Sequence, residues 1–466
     1  MRIKFIFFLH FYFFCSIVIR AQQNVSPNVF GFRMSTSFVF FDIEDTSFVN
    51  KVIDLTPQVL SFPGGFGNFY HLDGFGYGIN VREVEQYHSG NKPKIAKTLN
   101  SISIRKNHRE NYIYDFIKLV KMTNSKVIYN ANVLCATPEE VLEIIDVFLR
   151  NDINIEGIEL GGELSNRTYK HIIDKDKYIE ISREFSRRIK EVYPEIKIIV
   201  VAAPVYALYR HDQWNQFLAK ETFFDGIVTH SYAKITKGTA EYGKMLNEIN
   251  EEGSKKETFD RYKRRAIDYL LNSYPHEIIE LSRIFSDKPI WVTEWNLQMS
   301  KKTANTMLQS LFVAQFLLEI SSNIELQNIK LATFHNMAGR TISASMILKK
   351  DKDMHILSTF HTMRMLSSCF SDSSLMINKV VISEECFKYE FLDNNRQVKK
   401  HVWLNWSPNE VLVSVKKPYL LQEYYANQLF NTTFTDDQII LSERISVNNE
   451  LLLKPYSLTI VSPIND

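Results

Sequence analysis

Cysteine is scarce: the 466 residues hold four, and one of them, Cys15, lies in an N-terminal apolar run. Cys135, Cys369 and Cys386 are too few to staple a fold, which excludes a disulfide scaffold. A Cys369–Cys386 bridge and three buried free thiols both remain open. No C-x-x-C, H-E-x-x-H or other metal-ligand spacing occurs, so no metal and no other cofactor is expected. A charge excess is missing as well. The formal net charge is +2, and three of the bases, Arg2, Lys4 and Arg20, fall within the first 22 residues, which contain no acid. Without that segment the balance is −1, which excludes the electrostatic footprint of a protein that binds nucleic acid or an anionic membrane surface. Beyond the same segment there are no internal repeats and no low-complexity tracts.

What is present begins with a leader. Arg2 and Lys4 precede the apolar run Phe5–Ile19, and Ala21 offers a small residue for cleavage. This is the layout of a secretory signal over residues 1–22. The run is too short and too early for a membrane span, so a secreted, periplasmic or cell-surface protein is expected. The remainder divides by texture. In residues 23–370, eight β-rich runs alternate with helical stretches. The runs are Val29–Arg33, Gln58–Phe62, Lys126–Val133, Ile155–Glu163, Ile196–Pro204, Gly226–Tyr232, Pro289–Asn296 and Lys330–Asn336. Several are nearly continuous apolar segments, as strands covered on both faces must be. Between them Asn111–Met122, Tyr178–Val192 and Thr303–Ser321 read as helices. Thr137-Pro138-Glu139-Glu140 is a capping box that opens a further helix to Arg150. Eight strands with intervening helices predict a (β/α)8 TIM barrel. Two long connections, Gly65–Asn107 and Ala233–Ser286, are expected to wall a cleft at its catalytic face. Residues 371–466 carry seven short alternating runs between turn residues, from Lys379–Ile382 to Leu458–Val461, which predict a C-terminal antiparallel β-sandwich.

Two of the barrel strands stop on a glutamate. Gly157-Ile158-Glu159-Leu160-Gly161-Gly162-Glu163 closes the fourth, and Pro289-Ile290-Trp291-Val292-Thr293-Glu294-Trp295-Asn296 contains the seventh. The C-terminal end of a parallel strand is where such a barrel keeps its chemistry. Strands four and seven lie across the mouth from one another, so Glu163 and Glu294 are expected to flank one cleft. A pair of carboxylates on either side of a glycosidic bond is what glycoside hydrolysis needs, and a separation of about 5–5.5 Å gives retention. The competing reading of each glutamate alone is a solvated residue at the start of a loop.

Further motifs fall in order around this pair. Val59-Leu60-Ser61-Phe62-Pro63-Gly64-Gly65 is followed by Asn68-Phe69-Tyr70-His71, and His230-Ser231-Tyr232 closes the sixth strand. Together with Thr293-Glu294-Trp295-Asn296 they resemble a clan A glycoside hydrolase. The closest likeness is to the arabinofuranosidase, β-xylosidase and heparanase-like families, which add a C-terminal β-sandwich. The resemblance covers residues from about 28 to 466 and implies a secreted retaining glycosidase acting on a polysaccharide or oligosaccharide. It gives Glu163 as acid/base and Glu294 as nucleophile. Tyr232 would hydrogen-bond Glu294, and His230 would floor the site. Asn68, Asn130, Asn132, His335 and Asn336 are candidate contacts to sugar hydroxyls. Trp295, Tyr70, His71 and Trp214 are candidate stacking surfaces, with core packing the alternative for Trp214. The chain departs from the pattern twice. The asparagine usual before the acid/base is Gly162, and the arginine usual before the Pro-Gly-Gly turn is Ser61. Those departures favour a rival expectation, a carbohydrate-binding pseudoenzyme, against which the retained glutamate pair counts; a third reading is a surface protein whose sandwich mediates attachment.

Overall fold

A computed structural model describes residues 23–464 apart from 35, 75, 89–90, 107–110, 206–208, 237–239, 242–243, 246–251, 417 and 436–437. The expected leader lies outside the described residues. Eight parallel strands close into a barrel in chain order. They are β1 (Gly31–Arg33), β2 (Val59–Phe62), β3 (Lys126–Ala131), β4 (Ile155–Leu160), β5 (Ile198–Val201), β6 (Gly226–Ala233), β7 (Ile290–Leu297) and β8 (Ile329–Phe334). Closure is made by β8 on β1, where Thr333 pairs with Gly31 and Phe334 with Phe32. Every expected barrel strand is present, with bounds that differ from the expected ones by a few residues. The Thr137–Glu140 capping box forms as expected and starts the helix Pro138–Arg150.

Alternation along each strand sorts the side chains. Val59, Ile128, Ile199, Val228, Trp291 and Leu331 fill the barrel interior as one apolar cluster. Outward residues such as Phe32, Leu60, Ile158 and Val292 join the large cluster beneath the helices. The next inward layer is polar: Arg33, Ser61, Asn130, Glu159 and His230 stand above the apolar plug. A layer of charged groups on an apolar floor is a site held away from bulk water.

The C-terminal region is an antiparallel sandwich with unequal layers. The large sheet runs in the order Gln23–Asn24, Met376–Ser383, Cys386–Leu392, Val398–Asn405, Ser457–Pro463, Tyr419–Tyr425, Ile440–Ser446. The small one pairs Val411–Ser414 with Glu450–Leu453. Cys386, Trp403, Leu421 and Leu453 pack between them. The large sheet's other face docks on the barrel helix Met307–Ser322, every residue of which is buried. Polar groups trapped there are paired. Tyr389 Oη donates to Glu319 Oε1 (2.6 Å), Lys379 Nζ lies 2.6 Å from the same oxygen, and Trp406 Nε1 donates to Gln315 Oε1 (2.7 Å). A buried, satisfied network of this kind fixes the orientation of the two layers. Cys135, Cys369 and Cys386 are all free thiols, which closes the question of a Cys369–Cys386 bridge. No helix among the described residues is long and apolar enough to cross a membrane.

Candidate active site

A register shift on β7 builds one half of the site. Trp291 points into the barrel and Val292 out, so strict alternation would send Glu294 outward and Trp295 inward. The pairing of β7 with β6 slips between Val292 and Glu294, and with β8 between Val292 and Trp295. The bulge at Thr293 reverses the phase. Glu294 therefore enters the mouth, and Trp295 turns onto the helix behind it. Trp295 is fully buried and stacks on Phe316, with ring centroids 4.4 Å apart and 14° between planes. It is a core residue and no stacking surface for sugar. Arg33 Nη1 donates to the Thr293 carbonyl (3.2 Å), and Thr333 Oγ1 donates to the same carbonyl, so the bulge leaves no orphaned acceptor.

Glu294 is 8% exposed and heavily supported. Tyr232 Oη donates to its Oε2 (2.5 Å), and Arg33 Nε stands 2.9 Å from its Oε1. Burial pushes its pKa up, but the charges of Arg33 and His230 and the Tyr232 hydrogen bond outweigh burial. The carboxyl is held well below the usual carboxylate range. That direction favours the ionised form, the form that attack by a carboxylate requires.

Glu163 stands opposite. Gly161, with φ +84°, turns the chain at the end of β4, and Glu163 follows with φ +52°. Two asparagines hold this turn. Asn68 Oδ1 accepts from the Gly162 amide (2.8 Å) while its Nδ2 donates to the Gly162 carbonyl (2.7 Å). Asn130 Nδ2 donates to the Gly161 carbonyl (3.0 Å). Asn130 fits only because residue 67 is glycine, where a Cβ would lie 1.6 Å from Asn130 Oδ1. His230 Nδ1 lies 3.0 Å from Glu163 Oε1 and 3.6 Å from Glu294 Oε2. One donor atom from each of Glu163, His230 and Glu294 falls within 4.8 Å of the others. The same three atoms would offer ligands to a cation, but Arg33 already neutralises Glu294 there.

The proton in this cluster is on His230. Burial lowers its pKa, yet the charge of Glu294 and the contacts with Glu159 and Glu163 raise it to about 10. For Glu163, burial works upward, and the hydrogen bond and charge of His230 carry it below its ordinary value. The Glu163 side chain is 45% exposed, which favours that downward direction. A general acid starts its reaction protonated; here the proton is held one hydrogen bond away from Glu163, on His230.

Sequence reasoning missed two residues. Arg33 is 1% exposed and pairs in register with Ser61 on the neighbouring strand. The guanidinium that the resemblance places at position 61 is thus supplied from one strand over, in the same layer. Glu159, fully buried on β4, completes the charge balance, 3.8 Å from Arg33 Nη1 and 3.9 Å from His230 Nε2. The signal was a charged residue in the inward register of an otherwise apolar strand.

The other expected contacts divide. His335 lies beside the site, edge-on to Tyr232 at 6.0 Å. Burial and the charges of Arg33 and His230 lower its pKa, which keeps it neutral. Asn336 is buried, and its Oδ1 is without a partner. Four candidates serve the scaffold instead. Tyr70 is 1% exposed and donates to Asn111 Oδ1 (2.8 Å). His71 lies between Glu83 (2.8 Å) and Glu140 (3.1 Å). Asn132, fully buried, donates to the Tyr70 carbonyl (3.3 Å) and accepts from the Cys135 amide (2.9 Å). Trp214 is buried against Tyr178 and donates to the Val201 carbonyl (2.9 Å). Asn68 and Asn130 hold the Glu163 turn; both amide atoms of Asn68 are engaged there, whereas Asn130 Oδ1 is buried without a hydrogen-bond partner.

No protein-family model and no curated protein matches the sequence. Solved structures match over almost the whole chain. The GH51 arabinofuranosidase from Xanthomonas axonopodis pv. citri aligns with a TM-score of 0.68 at 14% identity, covering 95% of this chain and 98% of that one. The alpha-L-arabinofuranosidase from Thermotoga maritima aligns at 0.67 and 12%, covering 94% and 97%. A 4-O-alpha-L-rhamnosyl-beta-D-glucuronidase from Fusarium oxysporum aligns at 0.59 and 9%, covering 95% and 98%. The resemblance drawn from the motifs therefore holds at the level of the whole fold, barrel and sandwich together.

Proposed function

We propose that the chain is a retaining glycoside hydrolase that cleaves a polysaccharide or oligosaccharide by double displacement. The observation that carries this reading is the pair of carboxylates at the barrel mouth, an oxygen of each lying within 4.8 Å of the other, which is short of the 6.5–9.5 Å that inversion requires. Their environments differ as their roles demand. Glu294, ionised and aimed by Tyr232 and Arg33, attacks the anomeric carbon. Glu163 receives the His230 proton and passes it to the leaving oxygen. It then acts as base toward water, once the glycosyl ester has removed the charge of Glu294. Arg33 answers the missing arginine at position 61, which weakens the case for a pseudoenzyme. The neighbours of known structure carry glycosidase names, and that likeness supports the reading. With residues 1–22 as a leader, the enzyme works outside the cytoplasm.

Two variants test the roles. Glu294→Gly abolishes turnover, and azide restores little, giving the opposite anomer as product. Glu163→Ala still forms the glycosyl ester from substrates with good leaving groups, and azide accelerates its breakdown with retention. Equal and unrescuable loss in both folded variants contradicts the assignment.

A further inference from the structure

Away from the carboxylates but on the same face of the barrel lies a pocket of about 340 Å³, large enough for a small ligand. Its place follows from the loops that build it. Phe40 ends the short helix Ser37–Phe40 that follows β1 and Arg33, and Arg340 comes four residues after Asn336 at the end of β8. Ser37 Oγ donates to the Ala338 carbonyl (3.1 Å), which ties the two loops together. The third wall is the far end of the helix Lys92–Arg105, with Lys106 just beyond it.

The lining is basic. Lys106, Arg340, Lys349 and Lys352 line the pocket, and Asp351 is the one acid among its lining residues. None of the four cations has a carboxylate within ion-pair distance among the described residues. Lys349 Nζ donates to the Lys352 carbonyl (2.8 Å) and lies 5.6 Å over the Phe41 ring, while the Arg340 guanidinium sits 5.0 Å over Phe40. Burial lowers the pKa of Lys106, and the charge of Lys349 adds to that effect against Asp42, Asp115 and Asp45 behind it. Like charges gathered around one cavity repel unless an anion lies between them. The chain as a whole carries almost no net charge, so this concentration is local.

The same helix links the pocket to the chemistry. Its 14 residues span about 21 Å. Lys92, at the opposite end from Lys106, lies 5.6 Å over the Phe66 ring, where its ammonium feels the charges of Glu163, Glu294 and Arg33. Positive charge thus stands near the carboxylates at one end of this helix and at the pocket at its other end. We propose that the substrate is an anionic glycan, bearing carboxylate or sulfate groups, and that the pocket lined by Lys106, Arg340, Lys349 and Lys352 is a distal subsite holding an anionic group of the chain being cleaved. This rests on the glycosidase reading for the cleavage step, and on the pocket alone for the binding step.

The test is affinity electrophoresis of the full chain through gels containing polygalacturonate, dextran sulfate or neutral dextran, with the triple variant Lys106→Ser/Arg340→Ser/Lys352→Ser alongside. All three side chains are exposed, and an unchanged melting temperature confirms the fold. Retardation by one or both polyanions, with none by dextran, is expected. The triple substitution weakens it roughly tenfold or more, since each exposed ion pair contributes a fraction of that factor. Whichever polymer is bound more tightly identifies carboxylate or sulfate as the group held. Absence of polyanion binding, or equal binding by the variant, overturns the proposal. A covalent label on Glu294 keeps the two readings apart. Labelling without polyanion binding removes the subsite and spares the glycosidase; polyanion binding lost in the triple variant, with no labelling, does the reverse.

Discussion

Replacing Arg33 probes the whole charged layer at once. At an effective dielectric near 20, unit charges 2.9 Å apart attract by about 6 kcal/mol before desolvation is subtracted. Deleting one member of such a buried set typically costs about 3–5 kcal/mol, because the partners stay buried without compensation. Arg33→Met strands Glu159, which is fully buried and accepts no hydrogen bond, and unsettles Glu294. A loss of about 3–5 kcal/mol lowers the melting temperature by roughly 6–10 °C at about 2 °C per kcal/mol for a domain of this size. Adding Glu159→Gln to Arg33→Met removes one uncompensated charge and recovers about 1–3 kcal/mol. Calorimetry on the single and double variants reads both numbers. Ser61 is the register partner of Arg33, and its hydroxyl is buried without a hydrogen bond. Arg33→Ser/Ser61→Arg is therefore expected to regain part of the activity that Arg33→Ser loses. A melting temperature within about 2 °C of wild type for Arg33→Met, or a further fall on adding Glu159→Gln, refutes the reasoning.

Three further outcomes follow from the geometry. His230→Asn removes the stored proton, so the basic limb of kcat/KM, which belongs to the Glu163–His230 pair, falls from the alkaline range to the carboxylate range; an unmoved limb contradicts the proton store. Asn68→Ala releases the Gly162 backbone and with it Glu163. Turnover of substrates with poor leaving groups drops far more than that of substrates with good ones, and an equal drop in both points to a structural role alone. Trp295→Phe lowers stability by about 1–3 kcal/mol and leaves KM unchanged, whereas a raised KM at full stability would return Trp295 to the cleft.

The barrel was legible because a parallel strand buried on both faces must be apolar along its length, and eight such runs leave little choice of architecture. The sandwich was legible in outline, but the strand Tyr419–Tyr425 was not. Its inward register includes Glu423, which is 1% exposed and held by Arg444 of the adjacent strand, so the run lacks a clean apolar alternation. The two glutamates were legible as strand ends. Their supporting charges were not, since Arg33 closes the short β1 and Glu159 lies inside β4, and a buried charge there survives only by pairing with residues distant in sequence. The stacking aromatics failed for a different reason. Period-two alternation counted from Trp291 places Trp295 in the mouth, and only the bulge at Thr293, visible in the pairing of β7 with both neighbours, moves it to the core. The Gly162 substitution was plain in the sequence, whereas the backbone clamp that Asn68 closes on it required the fold.

The most direct test of the central claim is covalent trapping. The purified chain is incubated with fluoro-sugar inactivators covering several sugars, and the intact mass and labelled peptide are then determined. The expected result is a single glycosyl adduct on the Glu294 carboxylate, absent from Glu294→Gly. A label on Glu163 or elsewhere, or turnover of a glycoside with inversion and no adduct, would contradict the double-displacement mechanism.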